Sequence, residues 1–161
     1  NVEVIYADSL NPNWGNYPPD GPGSVQFDQS AVAVSGNAIR VDYLHWWSLD
    51  FRNDAVDWSQ YQWFEFDMFV DPTKVPKVYT VSVLLRDDMY QPAVFKIELL
   101  QSQFIEGGSI QPGTWQHVQI PLDAFGPFLS HYVHISIERP GSGYDYTPLV
   151  TYIDNVTLRG K

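Results

Sequence analysis

The run "WFEFDMFVD", Trp63 to Asp71, places two carboxylates, Glu65 and Asp67, two residues apart among alternating aromatic and apolar neighbours. If the run is a strand, successive side chains point to opposite faces. Phe64, Phe66, Met68 and Val70 then face a core, while Trp63, Glu65, Asp67 and Phe69 face outward together. Outward carboxylate pairs can do acid-base work. Retaining glycoside hydrolysis, for instance, needs a nucleophile and a separate acid/base about 5 Å apart on either side of the scissile bond.

The run resembles the catalytic strand of the laminarinase-type β-jelly-roll glycosidases, whose motif runs Glu, apolar, Asp, one or two apolar residues, Glu. Here Phe69 and Val70 stand where the second Glu belongs, and Asp71 is out of step. The acid/base is missing, so the reading from the residues is a solvated strand face. If the chain were an enzyme, Glu65 and Asp67, or Glu98 and Glu138, would be the residues to test.

Other catalytic patterns are weaker. The histidines at 45, 117, 131 and 134 include the pair in "HYVH" but no third zinc ligand at recognisable spacing. "GSGYD" lies between β-like runs with no following helix, which a nucleophile elbow requires. "GPGSV" lacks the lysine and helix of a phosphate loop.

The elements that must position these residues read as all-β. Apolar residues recur with a period of two in about ten short runs, including "SVQFD", "AIRVDY", "WWSLDF", "VYTVSVLLR", "AVFKIEL" and "YVHISIE". Turn-rich punctuation such as "NPNWGNYPPDGPG" and "RPGSGYDYTP" separates them. The pattern predicts a two-sheet antiparallel sandwich or jelly roll, with residues 1–161 forming one domain. Nine Lys and Arg against nineteen Asp and Glu give a net charge of −10, which repels phosphate backbones and anionic lipid, so nucleic acid and membrane are excluded as partners. No apolar run approaches the ~20 residues that span a bilayer, and no basic leader precedes the first strand, so a mature protein or an excised domain is expected. The absence of cysteine excludes disulfides and thiol chemistry.

Three segments carry a family resemblance. "VIYADSLNPNW", "PGTWQHVQIPLDAF" and "TYIDNVTL", in that order, resemble the β-jelly-roll carbohydrate-binding modules appended to polysaccharide-degrading enzymes. The resemblance implies two packed antiparallel sheets and non-catalytic glycan binding, often on a concave sheet face. It further implies an extracellular or cell-surface location, a catalytic domain as tether, and a monomer. Rival expectations are a jelly-roll hydrolase or lyase, or a sandwich that binds only protein.

Placing "WWSLDF", "YVHISIE", "VYTVSVLLR" and "AVFKIEL" in one sheet assigns Trp47, Leu49, Phe51, Val133, Ile135, Phe95 and Leu99 to the core side. The opposite side carries Trp46, Ser48, Asp50, Tyr132, His134, Ser136, Glu138, Thr80, Ser82, Arg86, Lys96 and Glu98. Aromatic planes, planar charged groups and small hydroxyls suit a neutral polysaccharide, most readily a β-glucan. The predicted ligand residues are Trp46, Asp50, Arg86, Tyr90, Glu98, Tyr132, His134 and Glu138, with Trp47 added because a bulge at "HWWS" exchanges it with Trp46. Tyr17, Tyr144 and Tyr146 mark a second site in the loops. Trp14, Trp58 and Trp115 are assigned to the core. The resemblance also implies a structural calcium ion held by Asp8, Asp154 and the carbonyl of Asn37.

Overall fold

The computed structural model describes residues 1–93, 95–127, 129–141 and 146–160. Among the described residues eleven strands follow in order, β1 (Val2–Tyr6), β2 (Gly15–Asn16), β3 (Gly23–Gln29), β4 (Ala38–Tyr43), β5 (Trp47–Arg52), β6 (Tyr61–Val70), β7 (Ser82–Asp87), β8 (Ile97–Glu98), β9 (Trp115–Pro121), β10 (Tyr132–Arg139) and β11 (Leu149–Gly160). One sheet has the order β3-β4-β11-β6-β9, with β1 also paired to β11; the other runs β2-β5-β10-β7-β8. Every strand pair is antiparallel. From β4 to β7 the chain changes sheet at each step, and it does so again from β8 to β11, which is the jelly-roll habit the sequence predicts.

β6 shows why the layers form. Phe64, Phe66, Met68 and Val70 are at most 1% exposed, while Trp63, Glu65, Asp67 and Phe69 alternate outward. Each buried side chain of this size contributes roughly 1.5–3 kcal/mol. Against them the other sheet presents Leu49, Phe51, Val83, Leu85, Ile135 and Ile137, all in the same core. Trp14 and Trp58 are buried in it as well, and Trp115 is half-buried over a smaller apolar cluster, its indole N–H donating to the carbonyl of Val32 at 2.8 Å.

Three predicted placements are corrected. "AVFKIEL" contracts to the two residues of β8, and Phe95 is 53% exposed instead of buried, packed beside Gly126; Val94 lies outside the described residues. In β10 a register shift between Tyr132 and His134 inserts Val133 as an extra residue. The bulge reverses side-chain parity, so Tyr132 packs against the core and Val133 turns to the outer side, where it lines a cleft. Trp47 keeps the core side and is 3% exposed, with its indole N–H donating to the carbonyl of Pro19 at 2.9 Å. Gly23 leaves room for that ring, since a Cβ there would stand 2.2 Å from it.

Candidate glycan-binding face

The outer face of the five-stranded sheet is organised in rows by register. Arg52, His134 and Arg86 stand side by side on β5, β10 and β7; Asp50, Ser136 and Leu84 form the next row; Ser48, Glu138 and Ser82 form the third, continued to Glu98 on β8. Hydrogen bonds tie the rows diagonally. Arg86 Nη2 donates to Glu138 Oε2 at 2.7 Å and its Nε to Ser136 Oγ at 3.2 Å, and Ser136 Oγ donates to Asp50 Oδ2 at 2.5 Å. The other carboxylate oxygen of Asp50 bonds His134 Nδ1.

Tyr90 lies on this network. It sits in the turn that leaves β7 at φ +63°, a conformation uncommon for an aromatic residue. Its ring stacks on the Arg86 guanidinium at 4.5 Å, meets His134 edge-on at 5.2 Å, and its hydroxyl bonds Ser48 Oγ at 3.0 Å. Burial first, and then the charge of Asp50, push the Tyr90 hydroxyl up to about 12. Ser48, Asp50, Ser82, Arg86, His134, Ser136 and Glu138 are all 6% exposed or less. The face predicted to present these groups to a glycan is a closed layer in which Asp50, Arg86, His134, Ser136 and Glu138 bond one another.

The face opens at its Arg52 end. Arg52, Asp54, Asp87, Asp88, His131 and Val133 line a cleft of about 530 Å³. Arg52 is held by Asp54 through bonds of 2.7 and 3.2 Å, and its guanidinium stacks on Tyr17 at 5.7 Å, whose ring is 57% exposed. That pairing holds the Asp54 carboxyl below its usual range. Sequence reasoning missed Arg52, although the period of two that selects Ser48 and Asp50 reaches it at the next step; the aspartates at 87 and 88 lie past the end of the alternation and carried no such signal.

Of the residues predicted to bind ligand, Asp50, Arg86, Tyr90, His134 and Glu138 come together in the closed layer. Glu98 stands at its far edge, accepting from Thr80 Oγ1 at 2.7 Å and pairing with Lys96 at 3.2 Å. Burial pulls its carboxyl upward, but the bonds from Thr80, Ser82 and Lys96 outweigh it and the group ends below its ordinary value. Trp46 is half-buried in the bend before β5, against Gly141, while neighbouring His45 stacks on Tyr146 at 4.8 Å. Trp47 and Tyr132 belong to the core side. Tyr144 lies outside the described residues.

No protein-family model matches the chain, and no curated protein is similar to it in sequence. Solved structures are similar over its whole length. A family 11 carbohydrate-binding module from Clostridium thermocellum, in complex with a β-1,3-1,4-mixed-linked tetrasaccharide, is 15% identical with a TM-score of 0.64, and the match covers 99% of this chain and 95% of that one. The family 30 module of a cellulosomal cellulase of Clostridium thermocellum is 14% identical with a TM-score of 0.62, over 100% and 98%. A mutant of the family 29 module CBM29-2, complexed with mannohexaose, is 13% identical with a TM-score of 0.58, over 98% and 90%. The fold is that of the jelly-roll carbohydrate-binding modules.

The residues expected to hold calcium converge on one loop. Asp8 Oδ1 accepts the Asn37 amide at 3.0 Å, and Asp154 accepts the amides of Val34 at 3.1 Å and Asn155 at 2.8 Å. Gly36, at φ +61°, makes way for Asp8: a Cβ there would fall 1.5 Å from Asp8 Oδ1. Beside them, burial followed by the charge of Asp154 pushes the Tyr6 hydroxyl up to about 12. Burial also raises the Asp154 carboxyl, with Asp67 adding to the effect against the bonds from the loop amides. Asp8 and Asp154 carry the hard oxygens calcium prefers, while Asn37 meets Asp8 through its backbone and side-chain N–H groups, and no cluster of three or more His, Cys, Asp or Glu is present among the described residues.

Glu65 and Asp67 lie on the outer face of the other sheet. Glu65 accepts from Gln119 at 2.5 Å and from Arg159 at 2.6 and 3.0 Å; Asp67 bonds His117 and Asn155, each at 2.8 Å. Burial raises the Glu65 carboxyl, but the bonds from Arg159 and Gln119 dominate and lower it. A proton donor to a leaving group needs the opposite shift. Glu65 is paired with the Arg159 charge, and Asp67 is held by hydrogen bonds from its neighbours.

Proposed function

We propose that the chain is a non-catalytic carbohydrate-binding module for a neutral β-glucan, and that it binds at the Arg52 end of the five-stranded face. The observation that carries this reading is the layer of Asp50, Arg86, His134, Ser136 and Glu138 locked under Tyr90 and opening on the Arg52 cleft. Arg52, held by Asp54 and stacked on Tyr17 before any ligand arrives, loses little entropy when it meets a sugar. Tyr90 and Tyr17 offer ring faces to pyranose C–H groups, and Arg52, Asp87 and Asp88 offer hydrogen bonds to hydroxyls. Similar solved modules hold a mixed-linked glucan and a mannan oligosaccharide, both neutral, and a net charge of −10 disfavours an acidic polymer. The same reading places the module outside the cell as a monomer beside a catalytic domain.

A structural calcium ion belongs to this proposal. Asp8, Asp154 and Asn37 would hold it, and it would join the loop before β4 to β11 while neutralising the carboxylates.

Affinity electrophoresis through gels containing mixed-linkage glucan, xyloglucan, xylan or mannan tests the reading. Retardation strongest in mixed-linkage glucan, with no reducing ends released, is the expected result. Free migration in all four gels overturns it, and release of reducing ends makes the chain a hydrolase.

A further inference from the structure

Resting on the glycan-binding reading, we propose that the site continues past the Arg52 cleft across the end of the sandwich. A groove between residues 54–62 on one side and residues 121–127 and 129–131 on the other would take further units of the same neutral glycan chain.

Three hollows follow one another along the same two stretches of chain. The Arg52 cleft, about 530 Å³, includes Asp54 and His131 in its walls. The next, about 320 Å³, begins at Val56 and Ser130, so on the second wall the two hollows are separated by a single peptide bond. The third, about 410 Å³, shares Trp58, Ser59, Pro127 and Leu129 with the second and ends at Gln62 and Pro121. The two walls therefore run side by side through all three, which is the shape an extended chain requires and a compact small molecule does not.

The lining matches the ligand chemistry. Tyr61, Pro121, Pro127 and Leu129 supply apolar surface, and Gln62 and Asp123 supply an amide and a carboxylate. No Lys or Arg is among the described residues that line the second and third hollows, so an anionic chain finds no counter-charge there. The floor is rigid. Trp58 is 5% exposed, and its indole N–H donates to the carbonyl of Tyr132 at 2.9 Å, which fastens the groove to the bulge beside the Arg52 cleft. Asp57 fixes the wall by accepting from the Ser59 amide at 3.1 Å, the Ser59 hydroxyl at 2.6 Å and Gln60 Nε2 at 3.2 Å.

The test is calorimetric titration of the whole chain with mixed-linkage β-glucan oligosaccharides of three and of six units. Stacking and one or two hydrogen bonds in the groove should make the longer sugar bind roughly tenfold more tightly to the wild type. Tyr61→Ala and Gln62→Ala should cut that gain to about twofold while leaving the shorter sugar's affinity unchanged. Because Tyr61 also packs against the core, the exposed Gln62 is the variant that separates ligand contact from folding. Equal affinity of the wild type for both lengths, or a full gain retained in Gln62→Ala, overturns the extension alone. Failure of the wild type to bind either sugar overturns the glycan reading itself. A concentration-dependent dimer in sedimentation that Gln62→Ala dissolves assigns the groove to a second copy of the chain and overturns the proposal.

Discussion

Replacing Arg86 by Met asks whether the polar layer is closed in solution. The Arg86–Glu138 pair lies at 2.7 Å with side chains only 7% and 6% exposed, so the substitution leaves a buried carboxylate facing an apolar chain. Breaking a buried pair from one side costs about 3–5 kcal/mol. The Ser136 bond and the Tyr90 stack are lost as well, but Met fills most of the volume and offsets part of that loss. For a domain of this size a kcal/mol moves the melting temperature by about 2–4 °C, so a fall of roughly 6–20 °C is expected. Adding Glu138→Gln removes the stranded charge, and the double variant should recover at least half of the loss. Urea denaturation followed by circular dichroism, at constant slope, measures both. A single variant within about 1 kcal/mol of wild type would mean that water reaches Glu138 and that the layer is an open surface.

Three further outcomes follow from the same geometry. Truncating the Tyr90 or Arg52 side chain to Ala should weaken glucan binding by roughly 1 kcal/mol or more in calorimetry; wild-type affinity in both would remove the Arg52 end as the site. Glu65 has a folded-state carboxyl below its ordinary 4.5, so its contribution is present above that pH and is lost as pH falls through the lower folded value. Stability should therefore show an acid limb below pH 4.5 that Glu65→Gln flattens. Because an ion bound only by the folded state stabilises it by mass action, excess chelator should lower the melting temperature and added calcium restore it; an unchanged curve with no metal by elemental analysis refutes the ion.

Strand periodicity made most of the fold readable. Alternation across "WFEFDMFVD" places all eight side chains from Trp63 to Val70 on their observed sides, because a two-sided strand has only two registers to choose between. The same logic failed at Tyr132 and Val133, where one inserted residue exchanged the two faces, and at Phe95, where apolar alternation persisted in a segment that pairs over only two residues. A bulge depends on what the neighbouring strands permit, and nothing local to "HYVH" announces it. The polar character of the five-stranded face was legible residue by residue. Its closure was not, since Arg86 reaches Glu138 and Ser136 only once β7 and β10 are in register and Tyr90 has turned back over them.

The pairing of β11 bears on how the chain reaches this state. That strand is the last of the eleven in sequence, yet β1, β4 and β6 all hydrogen-bond to it. During synthesis each of the three waits with an unpaired edge until β11 is made, more than a hundred residues after β1 and β4 and with 78 residues between it and the end of β6. Such long-range closure places folding among the slow, millisecond-to-second cases, and it makes the nascent chain a client for protection against edge-to-edge association. A chain lacking residues 149–160 would keep most of its apolar side chains and lose the seam that joins them, so it should accumulate as aggregate and not as a smaller sandwich.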